Sequence, residues 1–393
     1  MHTVCHIITK LELGGAQQNT LYTVSHLDKT KFHPVLITGE PGLLDEEAKA
    51  LAGEAFFQVP SMVRAIHPCK DLLAFWKLTR ILKRLRPAIV HTHSSKAGVL
   101  GRMAAHFTGV PVIIHSIHGY GMTPAQHPLL RRMLLSVERL VARKTTRFFA
   151  VSEANRRQGI EWKLFQSDRC GVIRSGVDLD ALRRTSVDRL AKRRELGLDP
   201  LRSVIGMVAP LKPQKAPLDF VKMAAKVRQA NTSVQFILVG DGELRSEVEQ
   251  ESQRLGLNSA FHLLGWRRDV AEILRCLDVF VLTSRWEGLP RVYLEALATG
   301  VPIVGTRVDG AEEVVKDGQN GFLLNPGDVD GLAAKVCEFL ARGPVAWSRD
   351  TDLGKEFDIK EMVRRQEEEY ERLIDSVSRS LPSTPGRSVR SIV

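Results

Sequence analysis

The sequence predicts an α/β protein made of two doubly wound parallel sheets, and three observations support this fold class. The chain has 393 residues, which at about 150 residues per domain allows two or three domains. Short apolar runs alternate with helix-length segments along most of the chain. Most of these runs are continuously apolar, as is typical of parallel strands covered on both faces.

The apolar runs fall into two series, and each series predicts a βαβ array of its own. The first series predicts six strands, which lie at 3–9, 33–38, 55–59, 88–93, 110–117 and 147–152. The helical segments between them lie at 15–27, 69–86, 96–107 and 127–143. The second series predicts five strands, which lie at 203–209, 234–240, 260–265, 278–283 and 301–306.

The domain boundaries follow from this pattern. Residues 174–200 carry no strand pattern, so we predict a first domain at 1–178 and a second domain at 179–356. A last helix is predicted at 357–378, and packing back against the first domain is one option for it. Residues 379–393 are rich in Ser, Pro and Arg, which predicts a disordered tail.

The place of the binding site can be predicted from the fold class. Doubly wound sheets bind ligands at the carboxyl ends of their strands. If the two sets of carboxyl ends face each other, the site is the cleft between the domains. Functional residues are therefore expected directly after strands, in both halves of the chain.

Composition and charge narrow the class of protein. The formal net charge is +11, and residues 1–180 hold 24 Lys and Arg against 14 Asp and Glu. A basic half predicts an acidic partner, which could be a nucleic acid, an anionic membrane surface or a phosphorylated ligand. The five cysteines include no C-x-x-C pair, which indicates reduced thiols in a cytoplasmic protein. The first residues predict a strand rather than a signal peptide. The sequence contains no run of 18 apolar residues, so no membrane-spanning helix is expected.

The most informative stretch is 284–310, SRWEGLPRVYLEALATGVPIVGTRVDG, which follows a predicted strand. Pro290 suits the first turn of a helix, and Gly300 suits its end. Glu287 lies in the loop before this helix, and Glu295 lies inside it. The helix start predicts an anion site, formed by the N–H groups of Leu289, Arg291 and Val292. Taken alone, the stretch is equally compatible with an ordinary strand–loop–helix that carries two surface acids.

Several strings, taken in order, resemble glycosyltransferase family 4. The string E-G-L-P-x-x-x-L-E-A carries two Glu with seven residues between them, and A-T-G-V-P-I-V-G-T follows it. Upstream stand G-G-A-Q, V-H-T-H-S-S-K-A-G, H-G-Y, A-V-S-E, G-V-D, L-K-P-Q-K-A, V-G-D-G-E-L and L-L-G-W-R-R-D-V. The resemblance spans roughly residues 4–340.

The resemblance implies a GT-B fold, in which two Rossmann-like domains face each other across a cleft and the second holds the donor. It implies a retaining glycosyltransferase of class EC 2.4, with a nucleotide-sugar as donor. The implied acceptor is a sugar or a lipid-linked sugar, in the synthesis of cell-envelope polysaccharide or glycolipid. No metal or other cofactor is implied.

The resemblance also implies roles for single residues. Glu295 is expected to hydrogen-bond the donor ribose, and Glu287 is expected to contact sugar hydroxyls. The rest of the implied donor site consists of Gly15, Arg267, Gly288, Leu289 and Pro290, together with Lys215.

Lys215 lies in the loop after the predicted strand 203–209, where a cation would face the donor diphosphate. A solvated loop lysine is the alternative interpretation. Many members of the family carry Arg where this chain has Pro210, so the expected pair of cations is incomplete. Lys212 is one substitute for the missing cation.

His118 follows a predicted strand and matches a family histidine that reaches the hydroxymethyl region of the donor sugar. It is therefore grouped with Lys215 and Glu287 as catalytic. Gly14 and His93 are expected on the acceptor side of the cleft. The alternatives are a structural histidine and a simple strand-to-helix turn.

A metal site is not expected. His91 and His93 point to one face of their strand with His115 nearby, but no carboxylate lies at ligand spacing. Asp178 and Asp180 form a D-x-D string, which matches the interdomain G-V-D linker of the family and is predicted to be structural. The lysine and the helix dipole would provide the charge neutralisation that Mg²⁺ otherwise provides.

The predicted helix at 69–86 is amphipathic. Its apolar side chains include Leu72, Leu73, Trp76 and Leu85, and its cations are Lys77, Arg80, Lys83, Arg84 and Arg86. A sheet-packing helix with a solvated basic face is one interpretation, and attachment to an anionic membrane is a compatible second one. The protein is thus expected in the cytoplasm, with peripheral attachment to the inner face of the membrane as an option.

Two other functions remain open at this point. A nucleotide-sugar epimerase or a phosphorylase can share the same two-domain fold. A nucleic-acid-binding protein would account for the basic half. However, aromatic residues make up only 6% of the chain and no nucleic-acid-binding motif is present, so no nucleic-acid partner is expected.

Overall fold

The computed structural model describes residues 1–123, 126–257, 259–342 and 353–380, which form two parallel sheets. The first sheet contains β1 (His2–Ile8), β2 (Phe32–Thr38), β3 (Phe56–Gln58), β4 (Ile89–His93), β5 (Val112–Ile117), β6 (Arg147–Ala150) and β7 (Cys170–Val172). Their order across the sheet is β3-β2-β1-β4-β5-β6-β7. The chain winds one way from β1 to β3 and then the other way from β4, which makes the sheet doubly wound.

The second sheet repeats this plan. It contains β8 (Ser203–Val208), β9 (Val234–Val239), β10 (Phe261–Gly265), β11 (Val279–Leu282), β12 (Ile303–Thr306) and β13 (Gly321–Leu324). Their order is β10-β9-β8-β11-β12-β13, with the switch in winding between β8 and β11. Two such domains with facing strand ends confirm the predicted GT-B architecture.

Fifteen α-helices are described. Those before the second sheet are α1 (Gly15–His26), α2 (Asp45–Ala52), α3 (Pro68–Leu85), α4 (Ser95–Phe107), α5 (Pro128–Ala142), α6 (Glu153–Glu161), α7 (Leu179–Arg184) and α8 (Arg189–Glu195). The others are α9 (Pro217–Ala230), α10 (Arg245–Arg254), α11 (Val270–Arg275), α12 (Arg291–Ala298), α13 (Ala311–Val314), α14 (Val329–Arg342) and α15 (Ile359–Ser380). Among the described residues, no helix is both long enough and apolar enough to cross a bilayer.

The eleven predicted strands are all present, and two strands were not predicted. β4, β5 and β9 are buried at every position, which explains their continuously apolar sequences. The missed strands β7 and β13 are three and four residues long and lie at sheet edges. Each of them lies in an apolar run of only four residues, CGVI and GFLL, and the equally short β3 was predicted from the longer segment 55–59.

The segment at 174–200 joins the two sheets without forming a strand of either. It contains the short helices α7 and α8, and its Val177 forms an isolated bridge to Asp358. The last helix begins at this bridge, so the chain returns to the first sheet directly after the second sheet is complete.

Helix α15 packs against the first sheet. Met362, Val363, Tyr370 and Leu373 are buried together with residues of β1, β4 and β5. Polar contacts hold the same helix, since the backbone N–H of Asp28 donates to Glu367 at 2.6 Å. The helix ends at Ser380, so the tail predicted at 379–393 begins within it, and the remainder, 381–393, lies outside the described residues.

Helix α3 packs differently from the expectation. Its buried residues are Ala74, Leu78, Thr79 and Leu82. Leu72, Leu73 and Trp76 remain exposed, although the sequence offered them as the apolar side of the helix. The helix therefore packs on the sheet through one face and presents a second, partly apolar face to solvent.

Candidate functional site in the cleft between the domains

The carboxyl ends of the two sheets line a cleft with a volume of about 670 Å³. Nearly all of the predicted site residues line it, namely Gly14, Gly15, His118, Lys215, Arg267, Glu287, Gly288, Leu289, Pro290 and Glu295. His93 is the exception, because it lies one layer behind His118, beside a much smaller cavity. A volume of this size lies within the range of about 300–1,000 Å³ that is usual for small-molecule sites.

The loop after β11 brings the two domains into contact. A Cβ atom on Gly288 would lie 2.4 Å from the carbonyl oxygen of His118 and 2.7 Å from the N of Gly119. Only glycine permits this approach, because the atoms in the way are backbone atoms. The carbonyl of Gly288 also accepts from the N–H of Gly310 at 3.0 Å. A glycine is therefore required at position 288 by close packing against the backbone of His118 and Gly119 in the first domain.

Two helices begin at the cleft. α12 starts at Arg291 after the cap residue Pro290, and α1 starts at Gly15 after the cap residue Gly14. The first N–H groups of a helix have no partner inside it, and the helix dipole makes this end partly positive. Two helix starts on opposite walls provide a site suited to an anion such as a diphosphate.

Lys215 and Glu287 form an ion pair on the floor of the cleft. Lys215 ends a single turn of 3₁₀ helix at Pro213–Lys215, and its Nζ donates to Oε1 of Glu287. The same carboxylate oxygen accepts from the hydroxyl of Ser284 at 2.6 Å. Glu287 is buried, so both partners hold each other at a defined position.

Arg291 is a functional candidate that the motif analysis missed. Its guanidinium lies 3.2 Å from Oε1 of Glu295 and donates to Oε1 of Gln18 at 2.7 Å. The side chain packs against Gly15, where a Cβ atom would lie 3.0 Å from its Cδ. Burial lowers the pKa of this guanidinium, while the neighbouring Glu295 carboxylate acts in the opposite direction. The spacing of four residues from Glu295 on a helix was the signal in the sequence.

The other expected cations are engaged elsewhere. Lys212 is not among the residues that line the cleft, and its Nζ lies 2.5 Å from Oε2 of Glu12 in the first domain. The geometry therefore does not support Lys212 as the substitute for the missing arginine at Pro210. Arg267 lines the cleft, but its guanidinium donates to both carboxylate oxygens of Asp269, at 2.8 and 2.6 Å.

Behind the first-domain wall of the cleft lies a group of buried histidines, of which His118 reaches the cleft. His6 pairs in register with His91 across β1 and β4, and alternation along the strands places His93 and His118 on the same face. Burial lowers the pKa of His118 to about 4 and that of His6 to about 3. Burial also holds the pKa of His91 and His93 well below the usual value. These imidazoles are therefore neutral near pH 7.

The histidine group differs from the one considered in the sequence. His115 pairs in register with Thr92, so it points to the opposite face of the sheet, towards Gly98 of α4. His6 takes its place beside His91 and His93, and ring nitrogens of these three lie within 4.8 Å of one another. Which histidines meet depends on strand register, which the sequence does not show.

The spacing of these three rings would suit a metal ion, but five of their six nitrogens already have hydrogen-bond partners, and only His6 Nε2 has none among the described residues. His91 Nδ1 lies 2.5 Å from the hydroxyl of Tyr370, and His91 Nε2 lies 2.7 Å from Oγ of Ser116. His6 and His93 bond to each other at 3.1 Å. Hydrogen bonds among the neutral imidazoles and to the two hydroxyls therefore explain why these rings lie close together.

Asp178 and Asp180 lie at the interdomain connection and not in the cleft. The carboxylate of Asp178 caps α7 by accepting from the N–H of Ala181 at 2.9 Å. Asp180 forms an exposed ion pair with Lys360 of α15 at 2.9 Å. The two carboxylates therefore have separate structural partners.

The fold and the cleft together define the class of protein, a glycosyltransferase of GT-B fold. The family model described as Glycosyltransferase Family 4 matches residues 13–181. The model described as Glycosyl transferases group 1 matches residues 202–342. The chain therefore belongs to glycosyltransferase family 4, and it is an enzyme that transfers a sugar, as its motifs predicted.

Curated relatives agree with this assignment. Over 337 residues the chain is 34% identical to a protein of Escherichia coli, the UDP-Gal:alpha-D-GlcNAc-diphosphoundecaprenol alpha-1,3-galactosyltransferase. That match covers 84% of this chain and 85% of the relative. A putative glycosyltransferase of Bacillus subtilis, EpsF, is 28% identical over 305 residues, which are 77% of this chain and 78% of the relative.

Solved structures share the fold. Sucrose-phosphate synthase from Thermosynechococcus elongatus superposes with a TM-score of 0.80 at 18% identity, over 96% of this chain and 100% of that chain. Anabaena HepE in complex with UDP and glucose superposes with a TM-score of 0.79 at 22% identity, over 94% and 100%. At these identities the likeness shows the two-domain fold.

Proposed function

We propose that this glycosyltransferase transfers a hexose from a UDP-sugar, with retention of the anomeric configuration, to a sugar carried on a diphospho-polyprenol lipid. The observation that carries the proposal is the pairing of the Lys215–Glu287 site with two helix starts in one cleft. The name of the relative from Escherichia coli supports the choice of donor and acceptor. Synthesis of cell-envelope polysaccharide or glycolipid is the setting that such an acceptor implies.

The residues of the second domain divide the donor between them in this proposal. Glu295 binds the ribose hydroxyls, and Glu287 contacts hydroxyls of the transferred sugar. Lys215 and the start of α12 face the diphosphate. When UDP departs, negative charge builds on its outer phosphate oxygen, and donors placed there beforehand stabilise the transition state more than the ground state.

Arg291 supplies the second cation of the diphosphate site in this proposal. It lines the cleft beside the start of α1, whereas Lys212 is paired with Glu12 outside it. Arg291→Met is expected to raise the dissociation constant of UDP about tenfold, the scale of one charge-assisted hydrogen bond. Lys212→Met is the matched control, and equal effects of the two variants would contradict the assignment.

The direct test of the function is transfer to a defined acceptor. The purified protein is incubated with UDP-galactose, UDP-glucose and the corresponding GDP, ADP and dTDP sugars, with and without a short-chain diphospho-lipid that carries N-acetylglucosamine. We expect one UDP-sugar to react only when the acceptor is present, and NMR of the product to show an α linkage. Complete turnover of the donor without acceptor would indicate an epimerase, and a β linkage would contradict retention.

Attachment to an anionic membrane is the second part of the proposal, and helix α5 provides an apolar surface that the sequence analysis did not single out. Five of its side chains are exposed on one side, namely Leu129, Leu130, Met133, Val137 and Leu140. Helix α4 packs against both α5 and α3, which adds the exposed Leu72, Leu73 and Trp76 nearby.

The positive charge of this part of the chain favours an anionic membrane as the partner of the apolar surface. Residues 51–150, which include α3, α4 and α5, contain 15 Lys and Arg but only three acids, Glu54, Asp71 and Glu138. Two of the acids are already paired, Asp71 with Lys96 and Glu138 with Arg102. An apolar stripe in a strongly basic part of the chain fits the interface of an anionic bilayer, which is also where a lipid-linked acceptor resides.

Vesicle sedimentation tests this surface. We expect binding to vesicles with about a third phosphatidylglycerol and little binding to pure phosphatidylcholine, since each cation near an anionic surface contributes about 1 kcal/mol. Leu129→Ser combined with Met133→Ser should abolish binding and leave turnover of a water-soluble acceptor unchanged. Leu201→Ser is the control, because Leu201 is exposed in the second domain. If the parent protein, the Leu129→Ser/Met133→Ser variant and the Leu201→Ser variant bind the vesicles equally, the apolar face of α5 is not the membrane-binding surface.

A further inference from the structure

A continuous line of hydrogen-bonded histidines runs from the middle of the first sheet to the cleft. His6 Nδ1 lies 3.1 Å from His93 Nε2, and His93 Nδ1 lies 3.1 Å from His118 Nε2. We call these three residues the histidine line. His118 is its only member that lines the cleft among the described residues, so the other two act on the site through it.

The two hydrogen bonds of the line must point in the same direction. Burial lowers the pKa of all three rings, so each carries one N–H and one lone pair near pH 7. His93 bonds through both nitrogens, and it therefore donates on one side and accepts on the other. The direction of one bond fixes the direction of the second and the tautomer of His118.

The two possible directions differ at the ends of the line. If the bonds point towards the cleft, His6 donates to His93, His93 donates to His118, and His118 carries its hydrogen on Nδ1. If they point away from it, a hydrogen remains on His6 Nε2, which is buried without a partner. A buried N–H without an acceptor costs the desolvation of that group. In the direction towards the cleft, the hydrogen without a partner in the described part of the chain lies instead on His118 Nδ1, and His118 borders the cleft whereas His6 does not.

The surroundings of His118 offer acceptors for an N–H on Nδ1. This atom has no partner within the protein, and His118 borders both the cleft and a small cavity of about 10 Å³. The cavity is just large enough for one water molecule. Asn19 also lines it, and both of its amide atoms are buried without partners. The free end of the line thus lies where a ligand or a water can accept its hydrogen.

We propose that His6 and His93 are positioning residues, which hold the His118 ring in place and keep its hydrogen on Nδ1. His118 then donates a hydrogen bond to an oxygen of the bound donor sugar. This inference rests on the proposed function, because it takes the ligand of the cleft to be a nucleotide-sugar. In this arrangement His93 acts through His118 and does not touch the acceptor.

A pair of substitutions of similar size tests the role of His93. His93→Leu removes the donor to His118, and His93→Asn keeps an N–H at nearly the same place. We expect His93→Leu to lower kcat about tenfold or more, on the scale of a misplaced reactive geometry. The dissociation constant of UDP, measured by calorimetry, should change less than about threefold, since His118 faces the transferred sugar and not UDP in this proposal. His93→Asn should recover most of the loss.

A buried histidine outside the line serves as the control. His115 is buried on the other face of the same sheet, where Oγ1 of Thr92 lies 2.9 Å from its Nδ1. His115→Leu should leave kcat within about threefold of the parent enzyme. If His93→Leu lowers kcat no more than His115→Leu, the role of His93 is only structural and the proposal fails.

NMR measures the tautomer directly and needs no turnover. The chain has 12 histidines, which can be labelled selectively with ¹⁵N and assigned for His118 by comparison with His118→Gln. Long-range ¹H–¹⁵N spectra distinguish a protonated Nδ1 from an unprotonated one. We expect Nδ1 of His118 to be protonated in the parent enzyme and this preference to be lost in His93→Leu. An unprotonated Nδ1 in the parent enzyme would overturn the proposal.

The two readouts separate the possible failures. If no nucleotide-sugar is turned over, the proposed function fails, while the spectra of the parent protein still decide the direction of the line. If His93→Leu does not fold, His6→Phe replaces it, since this change removes the far end of the line. His6→Phe should shift the His118 tautomer towards a mixture, and an unchanged His118 spectrum would contradict a role for His6.

Discussion

The two walls of the cleft use opposite electrostatic designs. On the wall of the second domain, each cation that faces the cleft meets a carboxylate, as in Lys215 with Glu287 and Arg291 with Glu295. On the wall of the first domain, the group that faces the Glu motif is His118, which burial keeps neutral, and the neutral His93 and His6 lie behind it. The charged wall can exchange its internal ion pairs for contacts with a diphosphate and hydroxyls. The neutral wall can orient a sugar without competing for that charge.

The difference between the walls predicts where substitutions act. Changes on the charged wall should alter the handling of the diphosphate and ribose, because a charge is lost where the donor carries one. Substitutions of the neutral histidines should alter the placement of the donor sugar and the free energy of unfolding, because no net charge is removed near pH 7. The following predictions test this division, beginning with the largest expected effect.

Lys215→Ala should have the largest effect. We expect kcat to fall at least about a hundredfold, the scale of removing a preorganised donor to a developing negative charge. The KM for the donor should rise less, because the cation is more useful in the transition state. Steady-state kinetics with the preferred UDP-sugar would measure both. Lys212→Ala is the control, and a Lys215→Ala enzyme with near-normal kcat would mean that Arg291 alone holds the diphosphate.

Glu295→Gln should weaken donor binding. A carboxylate that accepts from ribose hydroxyls contributes about 1.5–3 kcal/mol, so we expect the dissociation constant of UDP to rise roughly ten- to a hundredfold. Calorimetric titration with UDP measures this, and UMP would show the same loss if the ribose is the partner. Glu247→Gln on the exposed side of α10 is the control. Unchanged affinity would place the ribose elsewhere in the cleft.

The neutral wall should make folding sensitive to acid. The pKa of His118 is about 4 and that of His6 about 3 in the folded protein, against an ordinary value of about 6.5 for unfolded chains. Between these values the unfolded state binds more protons than the folded state, so the free energy of unfolding falls as pH is lowered below about 6.5. The stability contribution is complete above that pH and is lost as pH falls towards the folded pKa values.

Removing one buried histidine should reduce this dependence by a defined amount. Urea unfolding at pH 7, 6 and 5 gives the slope of the free energy of unfolding with pH. For His115→Leu we expect this slope to decrease by about 1.4 kcal/mol per pH unit below pH 6, the value for one proton. The substitution of an exposed residue that does not titrate, Leu201→Ser, is the control and should leave the slope unchanged. Equal slopes in the parent protein, His115→Leu and Leu201→Ser would contradict a lowered pKa of His115 in the folded protein.

Removal of divalent metals should have the smallest effect. If Lys215, Arg291 and two helix starts neutralise the diphosphate, activity should survive EDTA with less than about a twofold change. The measurement is turnover after dialysis against EDTA, with Mg²⁺ or Mn²⁺ added back. Complete loss that Mg²⁺ restores would show that the charged wall requires a metal ion, and the division of roles between Lys215 and Arg291 would then need revision.

The strands that carry the site were predictable, because their signal is local. A fully buried parallel strand must be apolar over its whole length, and β4, β5 and β9 meet this requirement. The edge strands β7 and β13 were missed, since each lies in an apolar run of only four residues in the sequence. The relative position of Glu287 and Glu295 was also predictable from the sequence, because both lie within one loop and the helix that follows it.

Partners that are distant in the chain were not predictable. Lys212 and Arg291 are both cations near the motif, and only the packing shows that one binds Glu12 while the other lines the cleft. The choice between His6 and His115 as neighbour of His93 depends on the register of three strands. A shift by one residue would reverse every side chain of a strand, and nothing in the sequence of the strand itself reports its register.

The sequence by itself determined the two arrays, the position of the Glu motif after a strand and the family, because apolar runs and motif spacing are properties of contiguous residues. The tertiary structure alone decided the approach of Gly288 to His118, the return of α15 to the first sheet and the order of the histidine line. These features join residues that are far apart in the chain, such as His93 and His118, which are 25 positions apart, and Asp28 and Glu367, which are 339 positions apart. Such contacts depend on how whole sheets and helices pack, which no local pattern encodes.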